Sequence, residues 1–172
     1  MNIGYDLVKG GDIAIGIVPS DFGSAANNAA WVGMQNVKRL HVLIALAAGS
    51  SGEHVTLELE QATNASGGSA KVLQIKKLYY KAAASIAATQ KWTEVTAIDR
   101  QNGVNSYVSS GAGVATLQMA FVAVIDEDDL DNANGFTHVR FKCADPGAAR
   151  TGAVTYIAQA VEYAGTDKSY LI

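Results

Sequence analysis

The densest group of side chains that could do chemistry is a run of five carboxylates at residues 126–131. An EF-hand calcium loop needs oxygen ligands at alternate positions, a central glycine and a glutamate at position twelve. In the two frames tested, the fifth position holds Leu130 or Ala133, so the template fails. A divalent site of another kind at a subunit contact stays open. We interpret the run as a solvated turn in which Asp129 or Asp131 caps backbone N–H groups.

Histidine and cysteine side chains do not form a recognisable catalytic or metal pattern. His41, His54 and His138 are too far apart for paired metal ligands, and alternation places Cys143 in the core as a small apolar residue. The chain also lacks the nucleophile elbow of serine hydrolases and the glycine-rich phosphate loop. We therefore predict no catalytic, cofactor-binding or metal-ligating residue, no cofactor and no enzymatic activity.

A basic and aromatic patch lies between residues 71 and 81, where four lysines surround Tyr79 and Tyr80. Such a patch can bind nucleic acid. The whole chain, however, has 13 Lys and Arg against 16 Asp and Glu, a formal charge of −3, so it has no positive excess to neutralise phosphates. We expect a solvated face, or lysines that balance Glu residues on a neighbour, and no nucleic-acid partner.

Composition indicates a folded protein rather than a disordered or membrane chain. At 172 residues the chain suits one domain, or one domain with an arm. Charged residues make up 17% of the sequence, below the usual value of about 25%, and hydrophobic residues make up 49%. The longest apolar stretch, near residues 42–48, is far shorter than the ~20 residues that cross a bilayer. No signal peptide is evident, so we expect synthesis in the cytoplasm and no membrane partner.

The elements that must position these residues are strands. Between His54 and Glu60, apolar and polar residues alternate as in a half-buried strand. The segment 116–125 predicts the strongest core strand, and residues 42–47 are apolar at every position, which is typical of a strand buried on both faces. Seven or eight such segments with turn signals between them predict an all-β antiparallel β-sandwich, jelly-roll-like. Periodicity leaves an immunoglobulin-like strand order open.

The first 36 residues have a different composition from the remainder. They are rich in glycine, and only Ile13, Ile15 and Ile17 alternate as in a strand. We predict an extended N-terminal arm over residues 1–36 and a β-sandwich domain over residues 37–172. The alternative is that the arm packs on its own domain.

Three further segments carry weaker signals. Residues 71–81 fit either a helix or a bulged strand, and residues 82–89 fit a loop or a short helix. The segment 92–98 is rich in β-branched and aromatic residues, which predicts a strand.

The order of these segments resembles that of small virion structural proteins of tailed bacteriophages. The resemblance covers about residues 37–165. It rests on the strand VTLELEQAT, the loop NASGGSAKVL, the acidic strand exit VIDEDDLDNANGF, the segment HVRFKCADPG and the closing strand VTYIAQAVEYAG. The resemblance implies a non-enzymatic β-sandwich of the virion that binds the assembled capsid shell and stabilises it, as a decoration or cement protein. It also implies the major capsid protein or another virion protein as partner, and a homo-oligomer, with a trimer favoured.

Two other functions fit the same sequence. One is a head–tail connector, tail or fibre component of a phage particle, which would be present in fewer copies. The other is a carbohydrate-binding β-sandwich, for which exposed aromatic residues among Trp31, Trp92, Tyr79, Tyr80 and Tyr107 are candidates.

Overall fold

The computed structural model of the protein describes residues 11–23, 27–87, 89–144, 146–147 and 149–160. These residues form twelve strands, and all their pairings are antiparallel. In chain order the strands are β1 (Gly11–Asp21), β2 (Asn27–Asn28), β3 (Val32–Gly33), β4 (Val37–Leu46), β5 (Thr56–Ala62), β6 (Lys71–Leu73), β7 (Leu78–Ala83), β8 (Thr93–Glu94), β9 (Ser106–Val108), β10 (Gln118–Asp126), β11 (His138–Ala144) and β12 (Thr151–Ala160). Three short 3₁₀ helices lie at Ser109–Ala112, Glu127–Asp129 and Asn132–Asn134.

The strands form two sheets. The first sheet has the order β1-β12-β4-β10-β7-β8. In the second sheet, β11 lies beside β5, with β2 and β3 pairing along the outer side of β11 and β6 and β9 along the outer side of β5. The predicted all-β antiparallel sandwich is confirmed.

The strand order is that of a jelly roll and not of an immunoglobulin domain. When β2 and β3 are counted as one strand and β7, β8 and β9 are set aside, eight strands remain. The first sheet then contains the first, eighth, third and sixth of these, and the second sheet contains the second, seventh, fourth and fifth. The three strands set aside are an insertion between β6 and β10. Within it, β7 and β8 extend the first sheet beyond β10.

Period-two alternation builds the core between the sheets. On β10, the odd-numbered residues from Met119 to Ile125 are buried and the even-numbered residues between them are half-buried. On β5, Leu57 and Leu59 face the core, whereas Glu58 and Glu60 face outward. Cys143 is fully buried in the same core, as the alternation predicts.

The described part of the predicted arm belongs to the sandwich. Strand β1 pairs with β12 from Gly11 to Asp21, with register shifts between Ile15 and Ile17 and between Ile17 and Ser20. Strands β2 and β3 pair with β11 in the second sheet. Residues 11–36 therefore supply strands to both sheets, in line with the alternative that the arm packs on its own domain. Residues 1–10 and 24–26 lie outside the described residues.

The weaker segments resolve into short strands and turns. Residues 71–81 contain β6 and the start of β7, separated at Ile75, whose backbone N–H and C=O both bond Val104. Ala82 and Ala83 complete β7, and no helix occurs among the described residues of 82–89. The prediction of a strand over residues 92–98 is confirmed only for β8, at Thr93–Glu94, and is wrong for the residues after it. Val95 and Ile98 are buried three residues apart because a turn, not an extended strand, places both in the core.

Candidate interaction surface

Three lysines of the basic patch pair with carboxylates of the acidic turn in the same chain. Asp126 accepts hydrogen bonds from Arg39 Nε at 2.6 Å and from Lys77 Nζ. Lys76 Nζ donates to Asp129 at 3.0 Å. Lys71 Nζ forms a third ion pair with this turn, at Asp131 Oδ2. The hydrogen bond from Arg39, and next that from Lys77, holds the pKa of Asp126 below its usual value.

The acidic turn is also tied by its own backbone. The N–H of Asp126 donates to Asp129 Oδ2 at 2.9 Å, and the two aspartates form a capping box around the 3₁₀ helix Glu127–Asp129. This is the local capping that we expected of Asp129. In the described part of the chain, no three His, Cys, Asp or Glu side chains are grouped so that they could hold a metal ion.

The two sheets hold two of the three histidines apart from the cysteine. His41 lies on the outer face of the first sheet and His138 on the outer face of the second, whereas Cys143 faces the core between them. Burial lowers the pKa of both histidines, and nearby Arg39 lowers the pKa of His41 further. The fold therefore places Cys143 on a different face from both His41 and His138, which a Cys–His nucleophile would need to bring together.

The outer face of the second sheet carries paired charges, and we call it the charged face. Arg140 Nη2 lies 2.6 Å from Glu60 Oε2, and Lys142 Nζ lies 3.4 Å from Glu60 and 3.5 Å from Glu58. The Arg140 guanidinium also stacks on the ring of Trp31, 4.5 Å from its centroid. Because its charged side chains are hydrated in water, this face is typical of a solvent-exposed surface.

The outer face of the first sheet is apolar, and we call it the apolar face. Cross-strand register aligns its side chains in rows. One row contains Ile13, Ile157, His41 and Val124, and the next contains Ile15, Thr155, Leu43, Val122 and Tyr79. Ile13 is 50% exposed and Ile15 is 65% exposed, so the edge of the apolar face is open to solvent.

A shallow groove with a volume of about 710 Å³ crosses the apolar face. Its lining is mostly apolar and includes Leu43, Val122, Val124 and Ile157. Trp92, which is 44% exposed, also lines the groove, and Lys81 Nζ lies 4.8 Å from the centroid of its ring. The groove therefore offers aliphatic and aromatic contact area to a ligand or a protein.

The apolar face explains why one prediction about β4 is wrong. The sequence of this strand predicts burial on both faces, yet Leu43 is only half-buried and Ala45 is exposed. Val42 and Ile44 do face the core, so one side of the strand is covered as expected. The other side is uncovered because no described element packs over the first sheet. Alternation alone cannot distinguish a side covered by the chain from a side covered by another molecule.

Sequence reasoning missed one buried charge, that of Arg150. Its guanidinium donates to the carbonyl oxygens of Ala47 at 3.2 Å, Glu53 at 2.9 Å and Leu117 at 3.1 Å, and its side chain is almost fully buried. Burial lowers the pKa of Arg150, and the nearby Glu53 opposes that shift. Arg150 follows a loop rich in turn residues, where no pattern distinguishes it from a solvated arginine.

The chain matched no protein-family model, no curated protein and no solved structure in the comparisons made. Within the described residues, no helix has the length and apolar character to cross a membrane.

Proposed function

We propose that the protein is a non-enzymatic structural protein of a virion that binds the assembled capsid shell and stabilises it. The observation that carries the proposal is the apolar face, which lies on a jelly roll where most of the clustered lysines pair with carboxylates of the same chain. Jelly rolls are common in viral capsid proteins and lectins. A large exposed apolar face is typical of a surface that contacts another protein.

The stabilisation follows from mass action. A protein that binds the assembled shell and not its dissociated subunits stabilises each site by RT ln(1 + [L]/Kd). At a free concentration 100 times the Kd this amounts to about 2.7 kcal/mol per site. Because such sites repeat over the shell, a modest affinity at each one raises the temperature at which the shell disassembles. The major capsid protein is the proposed partner, and the virion is the proposed location.

Quantitative mass spectrometry of purified particles tests the proposal. We expect one copy of this chain per shell subunit, or one per three. A dozen copies or fewer per particle would favour the head–tail connector or tail role. Absence from particles would overturn both virion roles. As a matched control, particles lacking the chain should lose DNA at a lower temperature and regain their stability when the purified chain is added.

A second candidate function is carbohydrate binding, and the position of Trp92 favours it. Its ring lines the groove together with Tyr79 and is 44% exposed, with Lys81 Nζ 4.8 Å from its centroid. An exposed aromatic ring can stack on a sugar. A glycan array would test this function, with Trp92→Ala as the variant expected to lose binding and Trp31→Ala, which changes the charged face, as the control.

A further inference from the structure

We propose that the apolar face is covered by the same face of a second copy of this chain, related by a two-fold axis. The inference shares with the proposed function only the premise that the apolar face is a protein interface. Because the dimer buries this face, it would bind the shell through another of its surfaces. The inference goes further because it names the occupant and fixes the symmetry. The trimer implied by the family resemblance is a different arrangement, so the two expectations can be separated by mass.

The dimensions of the face suit a stable interface. The six strands average eight residues. At about 4.8 Å between strands and about 3.3 Å per residue, the outer face of this sheet, including its polar end, measures about 24 by 26 Å, or about 600 Å². A standard protein interface buries about 800 Å² on each partner. The outer face of one copy thus lies at the lower end of the standard range of about 600–1,000 Å² per partner.

Residue types are distributed over this face as in a protein interface. The centre contains Leu43, Val122 and Val124, which are half-buried in the isolated chain. At one end of the face, Arg39 and Asp126 form an ion pair, so the charges there are already balanced. Along the β1 edge the exposed Ile13 and Ile15 extend the apolar area to the border of the face. An apolar centre is the usual anatomy of protein interfaces.

The sequence of β4 is consistent with such a cover, although in the single chain only one side of the strand is buried. Its apolar residues on both faces are typical of a strand covered on two sides. The second sheet covers Val42 and Ile44. A second copy would cover Leu43 and Ala45 and so complete the burial that the sequence predicts.

Of the two outer faces of this chain, the apolar face is the one that can pack against an apolar face. The partner surface is therefore the same face of a second copy. Among the described residues, the opposite outer face carries ion pairs of Arg140 and Lys142 with glutamates, which would lose water against an apolar partner. Two sheets with the same twist pack face to face about 10 Å apart, as in a sandwich. A contact between identical patches is isologous, and therefore two-fold.

Analytical ultracentrifugation of the purified chain over a wide concentration range tests the proposal. We expect the mass to rise with concentration to twice the chain mass of 17.9 kDa. A chain that stays monomeric throughout, or that forms a trimer, would overturn the two-fold pairing, whatever the variants show.

A matched pair of substitutions tests which face is used. Val122→Asp places a charge at the centre of the apolar face twice per dimer, so we expect the dimer Kd to rise at least about 100-fold. Val108→Asp makes the same change on β9 of the second sheet, where Val108 is 43% exposed, and should leave the Kd unchanged. Circular dichroism verifies that each variant is folded.

A second variant covers the case in which Val122→Asp does not fold. Thr155→Arg changes a polar residue that is already half-buried on the apolar face, next to Leu43 in register, and should also weaken the dimer. A folded variant that dimerises like the unmodified chain would overturn the assignment of the face. A dimer that is absent from particles would instead overturn the proposed function and leave this inference standing.

Discussion

The hydroxyl of Tyr156, on β12 of the first sheet, accepts a hydrogen bond of 2.8 Å from the backbone N–H of Phe141, on β11 of the second. The same hydroxyl donates to the carbonyl oxygen of Ala30 at 3.2 Å. The bond to Phe141 occupies the gap along β11 between its pairings with β2 and β3. One buried side chain thus joins the two sheets through polar contacts, and its burial raises its pKa well above the ordinary value.

Removing this hydroxyl should destabilise the sandwich. Tyr156→Phe keeps the ring but leaves the N–H of Phe141 and the carbonyl of Ala30 without a partner, so we expect a loss of about 1–3 kcal/mol in the free energy of unfolding. Urea denaturation measures this loss. Tyr79→Phe, on the apolar face, is the control and should change the stability little. Equal stability of Tyr156→Phe and the unmodified chain would mean that the hydroxyl adds nothing to the join between sheets.

Arg150 should be among the most sensitive positions in the chain. Arg150→Met leaves the carbonyls of Ala47, Glu53 and Leu117 without their donor, and we expect a loss of about 3–5 kcal/mol. Arg100, which is 57% exposed in its pair with Glu94, is the matched control, since Arg100→Met removes only a solvent-screened ion pair and should change the stability little. Similar melting temperatures for the two variants would contradict the structural role of Arg150.

Acid should weaken the turn that Asp126 organises. The pKa of Asp126 is held below its ordinary value of 3.8 in the folded chain, chiefly by the hydrogen bond from Arg39. The unfolded chain therefore takes up this proton first, and the stabilisation is present above about pH 4 and lost as the pH falls through the folded pKa. We expect about 1 kcal/mol, because water screens the partly exposed pair.

The variant Asp126→Asn isolates this contribution. It should lower stability at pH 7 and show a smaller further loss between pH 5 and pH 2 than the unmodified chain. Asp128→Asn, an exposed neighbour, provides the comparison and should reproduce the acid profile of the unmodified chain. Parallel acid profiles for Asp126→Asn and the unmodified chain would show that the ion pairs of Asp126 with Arg39 and Lys77 do not stabilise the fold.

Gly152 should not tolerate a larger side chain. A Cβ at this position would lie 2.7 Å from Phe22 Cε2 and 3.0 Å from Leu46 Cδ2, closer than packed carbons approach. We expect Gly152→Ala to lose about 1–3 kcal/mol through overpacking. The double variant with Phe22→Leu removes the clashing ring atoms, so the two losses should combine to less than their sum. Strict additivity would show that Phe22 is not the obstacle.

The fold could be predicted from the sequence where one side of a strand faces the core and the other faces water. Strand β5 is the clearest case, because Glu58 and Glu60 alternate with Leu57 and Leu59. The strand order could not be predicted, since pairing of distant segments leaves no trace in periodicity. The contribution of residues 11–36 was also hidden, because glycines and bulges in β1 weaken the alternation.

The sequence does not distinguish the apolar face from a second buried side of the sheet. Leu43 reads as a core residue whether a second layer of the same chain or another molecule covers it. The pairing of Lys76 with Asp129 was likewise out of reach, because the two residues are 53 positions apart along the chain. From the sequence we could expect only that the lysines face solvent or balance Glu residues on a neighbour. The fold is what brings Lys76 next to Asp129.

The internal pairing of the acidic turn with its lysines has a kinetic consequence. Ion pairs within the chain cancel much of the long-range field of these charges, so they steer an approaching molecule towards the apolar face only weakly. We expect encounters at the ordinary unsteered rate of about 10⁵–10⁶ M⁻¹s⁻¹, with a rate constant that hardly changes when salt is added. Tight binding would then come from slow dissociation, so that a copy seated on its partner stays there long after the free pool has been diluted.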